Sequence, residues 1–238
     1  MENENLIILH QYPGAFNLKS LSPFCLKVEY LLKFANIPYQ VQVEINPMLG
    51  PKGKMPYIEN KNSGDVIADS TFIVDYLSNK FNLHQLEIKN ASSQATALAF
   101  KLMIEESLYF VILASRWYDP KGFSVINDAF THMFPLNSGR FILKILRYRL
   151  IKQGKAQGMC RHNLAEIYQL GAKQILSLSS FLGDQEYFFE DKITEFDFTC
   201  FSFLKTIYSW PVDNPLKYAL NSSPNLIAYL ERLESIFN

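Results

Sequence analysis

The feature that most constrains this fold is a helix start set between two strand-like stretches. Ser22-Pro23 precedes an apolar stripe, Phe24, Val28, Leu31, Leu32 and Ala35, at helical spacing. Ser22 suits the N-cap, where a hydroxyl accepts an orphan backbone N–H. Pro23 suits the first helical position, because its missing N–H would have no partner there. Leu6-Ile7-Ile8-Leu9 before the helix, and alternating Tyr39, Val41, Val43 and Ile45 after it, read as strands. The unit is therefore β-α-β. The N-terminal end of its helix offers unpaired N–H groups and a partial positive charge, which favour an anion or a thiolate.

The same alternation continues to Phe81. A loop rich in turn residues, Asn46 to Lys54, leads into Met55-Pro56-Tyr57-Ile58-Glu59, and Val66-Ile67-Ala68 returns as the second arm of a hairpin. A proline at the mouth of a strand is acceptable, and a cis bond suits a tight bend there. Asp69-Ser70 opens a second helix with Ile73, Val74, Leu77 and Phe81 on its buried face. From Leu83 to about Ser92 the chain turns polar, which places a linker, and beyond it only helical patterns follow. The expectation is a four-stranded mixed sheet over residues 1–82, then an all-helical region over 92–238.

In that second region, Ala95 to Tyr118, Arg140 to Lys155, Asn163 to Leu182, a short stretch from Asn214-Pro215, and Pro224 to Ile236 read as helices. Arg140 to Lys155 is basic and amphipathic, with a solvated face over a packed one. Asp119 to Ser138, punctuated by proline and glycine, reads as irregular. Ile193-Thr194-Glu195-Phe196-Asp197-Phe198 carries a capping box with aspartate in the place of glutamate, framed by a hydrophobic staple of Ile193 and Phe198.

Composition narrows the function. The chain of 238 residues is neutral, with 23 basic and 23 acidic residues, and no basic cluster stands out, so nucleic acid is not expected as a partner. Its apolar runs are too short to span a bilayer. The polar start, Met1 to Asn5, lacks the features of a secretion signal. Cys25, Cys160 and Cys200 are odd in number and scattered, which fits a reducing cytoplasm rather than a disulfide framework. His10, His84, His132 and His162 show no metal-binding spacing, so no metal is expected.

Four motifs in order resemble the glutathione S-transferase superfamily. Ser22-Pro23-Phe24-Cys25 stands where glutaredoxins carry Cys-x-x-Cys and many transferases a catalytic Ser or Cys. Pro51-Lys52-Gly53-Lys54-Met55-Pro56 resembles the segment ending in the cis-proline, Ala68-Asp69-Ser70 the pair that holds the γ-glutamyl group, and Thr194 to Asp197 the capping box of the helical domain. Ser20 to Lys27, Gly53 to Glu59, Arg161-His162-Asn163 and Ser223 to Leu226 are similar to the failed-axon-connections and metaxin-like branch. The resemblance implies a thioredoxin-like domain followed by a transferase-type helical domain, with a homodimer as the assembly it suggests and glutathione as co-substrate.

It also implies roles. Ser22 would donate to the glutathione sulfur, and Cys25 is the alternative reactive residue. Lys54 would pair with the glycine carboxylate, and the Met55 backbone with the cysteinyl part, with Pro56 holding the bend. Ser70 would hold the γ-glutamyl carboxylate and Asp69 its ammonium. Tyr12 is a further candidate at the sulfur, although residues 14–21 separate it from the helix in sequence. Arg116, Trp117 and Tyr118 are candidates for the second-substrate pocket. Three functions follow: conjugation of glutathione to a small electrophile, a transferase-fold scaffold with little activity, or a thiol oxidoreductase using Cys25. A fold hosts many functions, so the site decides among them.

Overall fold

A computed structural model describes residues 6–135 and 138–237. The polar start at residues 1–5 and part of the 119–138 stretch lie outside them.

The expected β-α-β unit is present. Strand β1 (Ile7–Gln11) leads to helix α1 (Pro23–Phe34) and strand β2 (Tyr39–Val43), and the hairpin is β3 (Tyr57–Asn60) and β4 (Val66–Ala68), followed by helix α2 (Ser70–Lys80). The sheet order is β2-β1-β3-β4. β1 runs parallel to β2, with Leu9 opposite Val41, and antiparallel to β3, with His10 opposite Tyr57. Tyr57 faces Ala68 across the hairpin. This is the small mixed sheet expected, and among the described residues beyond Ser92 every named element is helical.

The helical region comprises α3 (Ala91–Leu102), α4 (Tyr109–Leu113), α5 (Pro120–Phe130), α6 (Gly139–Gln157), α7 (Leu164–Leu182), α8 (Glu195–Tyr208), α9 (Pro215–Asn221) and α10 (Pro224–Phe237). Wider π-type turns at Met103–Leu108 and Ala114–Tyr118 flank α4. Helix α5 departs from the irregular stretch expected. Pro120 reads in the sequence as a breaker, but it sits at the first helical position, where Asp119 caps the helix by accepting the Lys121 N–H at 2.8 Å.

By compactness the chain forms two units. One comprises Met1–Leu98, Asp184–Ser209 and Ala228–Asn238, the other Ala99–Gly183 and Trp210–Ile227. In the first, Leu26, Leu31 and Leu32 of α1 are fully buried together with Ile7 and Leu9 of β1. Helix α8 packs on α1 through aromatic pairs: Phe24 meets Phe203 edge-on at 5.2 Å, and Tyr30 meets Phe201 at 5.0 Å. Phe237 of α10 stacks on Phe198 at 5.0 Å. Each such pair adds about 0.5–1.5 kcal/mol beyond its area burial. Helix α1 is thus held from two sides, which fixes the direction of its N-terminus. Edge strand β2 keeps Val41 and Val43 exposed.

In the second unit α7 runs beside α9. A Cβ on Gly171 would lie 2.6 Å from Val111 Cγ1 and 2.8 Å from Leu216 Cδ1, so a residue without a side chain is needed at that crossing. Asp119 also accepts the Tyr168 hydroxyl at 2.7 Å, tying the start of α5 to α7.

Candidate functional site

Ser22 takes the N-cap as expected. Its hydroxyl accepts the Cys25 N–H at 3.4 Å, and the first turn of α1 holds no acidic residue. The end of this helix therefore keeps its positive character. Ser20 carries no role on sequence grounds, yet it is fully buried and its hydroxyl accepts the Ser22 N–H at 3.2 Å. The Ser-x-Ser spacing was the available signal, since hydroxyl residues commonly bond a backbone N–H two residues on.

Residues 14–21 fold into a tight return. Ala15 and Leu18 form a bridge, and Phe16 and Asn17 between them sit in the left-handed region. Gly14 is required there, because a Cβ would meet the Leu18 carbonyl oxygen at 2.2 Å. The return brings Tyr12 back to the helix start, so the separation in sequence is not a separation in space. Tyr12 packs against a cluster of Cys25, Met55, Tyr57 and Ala68.

That cluster is where β1, β3 and β4 meet the start of α1. The Met55–Pro56 peptide bond is cis, as expected for this bend. The Pro56 carbonyl accepts the Asp69 N–H at 3.3 Å, extending the hairpin by one rung. Asp69 lies at φ 86°, unusual for a side chain with a Cβ, and caps α2 by accepting the Thr71 N–H at 3.0 Å. Ser70 follows at the first position of α2 and is buried. Lys54, between Gly53 at φ 63° and Met55, is exposed. Ser22 after β1, Met55 and Pro56 before β3, and Asp69 and Ser70 after β4 are thereby gathered at one end of the sheet, with Lys54 on the loop beside them. Behind Pro56, the Tyr57 ring is stacked on His10 at 3.9 Å, and His10 lies between the carboxylates of Glu44 and Glu59.

Cys25 is enclosed. Its thiol is fully buried, in contact with Ser22, the Tyr12 backbone and Ser20, and burial pushes its pKa up to about 11. A thiol with that pKa is almost wholly protonated near neutrality, and only the thiolate is a strong nucleophile.

Arg116 is buried within the second unit. Its guanidinium lies 5.3 Å from the centre of the Trp210 ring, and desolvation lowers its pKa to about 10. The backbone carbonyls of Trp117 and Tyr118 accept hydrogen bonds from Arg147 at 2.7 and 3.2 Å. Among the described residues, no helix is long and apolar enough to cross a membrane.

Comparison with known proteins gives this arrangement its class. Residues 23–122 match the family described as Glutathione S-transferase N-terminal domain, and residues 171–233 match Glutathione S-transferase, C-terminal domain. The isoprene-epoxide–glutathione S-transferase of Rhodococcus sp. (strain AD45) is 30% identical over 98% of this chain and 100% of that protein. Failed axon connections of Drosophila melanogaster is 30% identical over 97% of this chain, which spans 58% of that protein. The solved structure of the glutathione S-transferase CsGST63524 of Ceriporiopsis subvermispora, in complex with glutathione, matches with a TM-score of 0.64 over 98% of each chain at 18% identity, a likeness of fold.

The class is a small mixed-sheet domain joined to a transferase-type helical region. The chain belongs to the glutathione S-transferase family, with failed axon connections among its relatives.

Proposed function

We propose that this protein binds glutathione at the end of the sheet formed by Ser22, Met55, Pro56, Asp69 and Ser70, and transfers its thiolate to a small electrophile. The observation that carries this reading is the convergence of those residues beside a helix start free of acid. Glutathione presents two carboxylates, an ammonium and a thiol. Ser70 and the first N–H groups of α2 receive the γ-glutamyl carboxylate, and the free oxygen of Asp69 the ammonium. The Met55 backbone pairs with the cysteinyl part as an added strand rung, and Lys54 meets the glycine carboxylate.

At the sulfur, the Ser22 hydroxyl already accepts the Cys25 N–H, so its own proton is available to donate. The donated bond and the α1 dipole both stabilise the thiolate over the thiol, the dipole by about 0.3–1 kcal/mol. The thiolate then forms a bond to the electrophilic carbon. The carbon's bond to its leaving atom breaks, and that atom takes the electron pair and then a proton. The relative named for an isoprene epoxide makes an epoxide the first electrophile to try, the ring oxygen being the leaving atom.

The burial and raised pKa of Cys25 support a packing role for it and argue against thiol exchange. Three free, buried cysteines accord with a reducing compartment such as the cytoplasm.

The test is the thermal midpoint with and without millimolar glutathione, followed by conjugation of an epoxide. A ligand that binds only the native state raises the midpoint. A rise followed by turnover is the expected result. A midpoint unmoved by glutathione, with no conjugation and no reduction of a mixed disulfide, would put the scaffold reading in its place.

A further inference from the structure

Helix α6 carries a surface that the glutathione site leaves unused. Over Gly139–Gln157 it holds Arg140, Lys144, Arg147, Arg149, Lys152 and Lys155, and no acidic residue. The acid-free stretch is longer still, running through residues 129–165. Because the whole chain is neutral, its positive charge is concentrated here. The net charge of zero conceals this, although the sequence already marks Arg140 to Lys155 as basic.

One of these cations is spoken for. Arg147 turns inward, bonding the Trp117 and Tyr118 carbonyls with its guanidinium 4.3 Å from the Phe123 ring centre. Arg140, Lys144, Arg149, Lys152 and Lys155 are exposed.

What lies between them is unusual for a solvated face. Phe141 is 68% exposed, Tyr148 70% and Ile145 39%. At 3.6 residues per turn these three and Lys152 fall within an arc of about 60°. Leu143 and Gly154, both buried, lie on the opposite side. Lys144 and Lys155 border the arc on one side and Arg149 on the other. The outward face is thus an apolar ridge with cationic margins.

We propose that this face of α6 rests on an anionic lipid surface. Phe141, Ile145 and Tyr148 enter the boundary between headgroups and acyl chains, while Lys144, Arg149, Lys152 and Lys155 reach the lipid phosphates and carboxylates. Such a helix lies in the interface plane, its long cationic side chains extending to the charged layer while their stems stay in apolar surroundings. Tyrosine suits that boundary because its ring is apolar and its tip polar. Two other occupants fit less well. A second copy of the chain meeting this face about a two-fold axis would set cations against cations. A nucleic acid would satisfy the cations but leave Ile145 and the apolar ridge facing a phosphate backbone.

The test uses the full chain sedimented with vesicles of phosphatidylcholine alone and of phosphatidylcholine mixed with phosphatidylserine. Binding is expected to the mixed vesicles only, weakening as salt rises. Lys144→Gln and Lys152→Gln should each weaken it about fivefold. Phe141→Ser and Tyr148→Ser should each weaken it about tenfold or more. Lys173→Gln, an exposed lysine on α7, should leave it unchanged. All these positions are exposed, so thermal midpoints should stay put and separate lost docking from lost folding. Three results would overturn the proposal. They are no binding to the mixed vesicles, binding that ignores Phe141→Ser and Tyr148→Ser, and tighter retention of a single-stranded oligonucleotide than of lipid. Glutathione binding is not needed for any readout.

Discussion

Helices α1 and α8 both begin at a hydroxyl cap, and the two starts are finished in different ways. At α8, Thr194 and Asp197 are fully buried. The Asp197 carboxylate accepts the Thr194 N–H and hydroxyl, each at 2.8 Å, and the Tyr229 hydroxyl at 2.9 Å. At α1, Ser22 is half-buried, its bond from the Cys25 N–H is a long 3.4 Å, and no carboxylate stands in the first turn. The first start spends its donors on the protein itself. The second keeps a helix end with no carboxylate on it, at the same end of the sheet as Met55, Asp69 and Ser70. The contrast teaches that a capping signal marks where a helix begins, while the partners supplied from elsewhere decide whether that end is structure or site.

The largest expected effect tests the sealed end. Asp197→Ala removes the carboxylate that accepts three buried donors, the Thr194 N–H, the Thr194 hydroxyl and the Tyr229 hydroxyl, at about 1–3 kcal/mol for each left unsatisfied. Chemical denaturation should therefore show a loss of about 3 kcal/mol or more. A loss below about 1 kcal/mol would mean that this end is not sealed, and the comparison would fail.

Next comes Cys25. With a pKa of about 11, against roughly 8.5 for a free cysteine, its thiolate fraction at pH 8 is on the order of a hundredfold below normal. Alkylation of the native protein, read at Cys25 by mass spectrometry, should be slow at pH 8 and climb toward pH 11. Rapid labelling at pH 7 would restore Cys25 as a nucleophile and make both residues of the α1 turn reactive.

Ser22→Ala should raise the pKa of bound glutathione and slow conjugation by about ten- to a hundredfold, the worth of a hydrogen bond to a charged group. Its stability should fall by only about 0.5–1 kcal/mol. A large stability loss with unchanged turnover would make the open end structural too.

The smallest effect is Thr194→Ala, about 1 kcal/mol of stability with glutathione affinity unchanged. The local sequence suggests equal costs for the two partners of this box. The structure makes them unequal, because Asp197 serves Tyr229 as well as Thr194. Losses of the same size for Thr194→Ala and Asp197→Ala would show that the Tyr229 bond contributes nothing.

Features that rest on neighbouring residues are legible in the chain alone. Caps at Ser22, Asn163, Thr194 and Asn214 place helix starts within one turn of chain. The two strand periodicities and the hairpin turn order the sheet, and the bend at Pro56 follows from proline chemistry. Helix α5 follows the same logic, since Asp119-Pro120 is a cap followed by a first helical proline. How the distant pieces are finished depends on the folded chain. It returned Tyr12 to Cys25 through the turn at residues 14–21, and it brought Tyr229 of α10 to Asp197, 32 residues away. It also left the ridge of α6 uncovered. The reason is that capping and periodicity are energies of adjacent residues. Burial, and with it the pKa of Cys25 or the satisfaction of Asp197, depends on which remote surface closes over the group, and no local pattern encodes that.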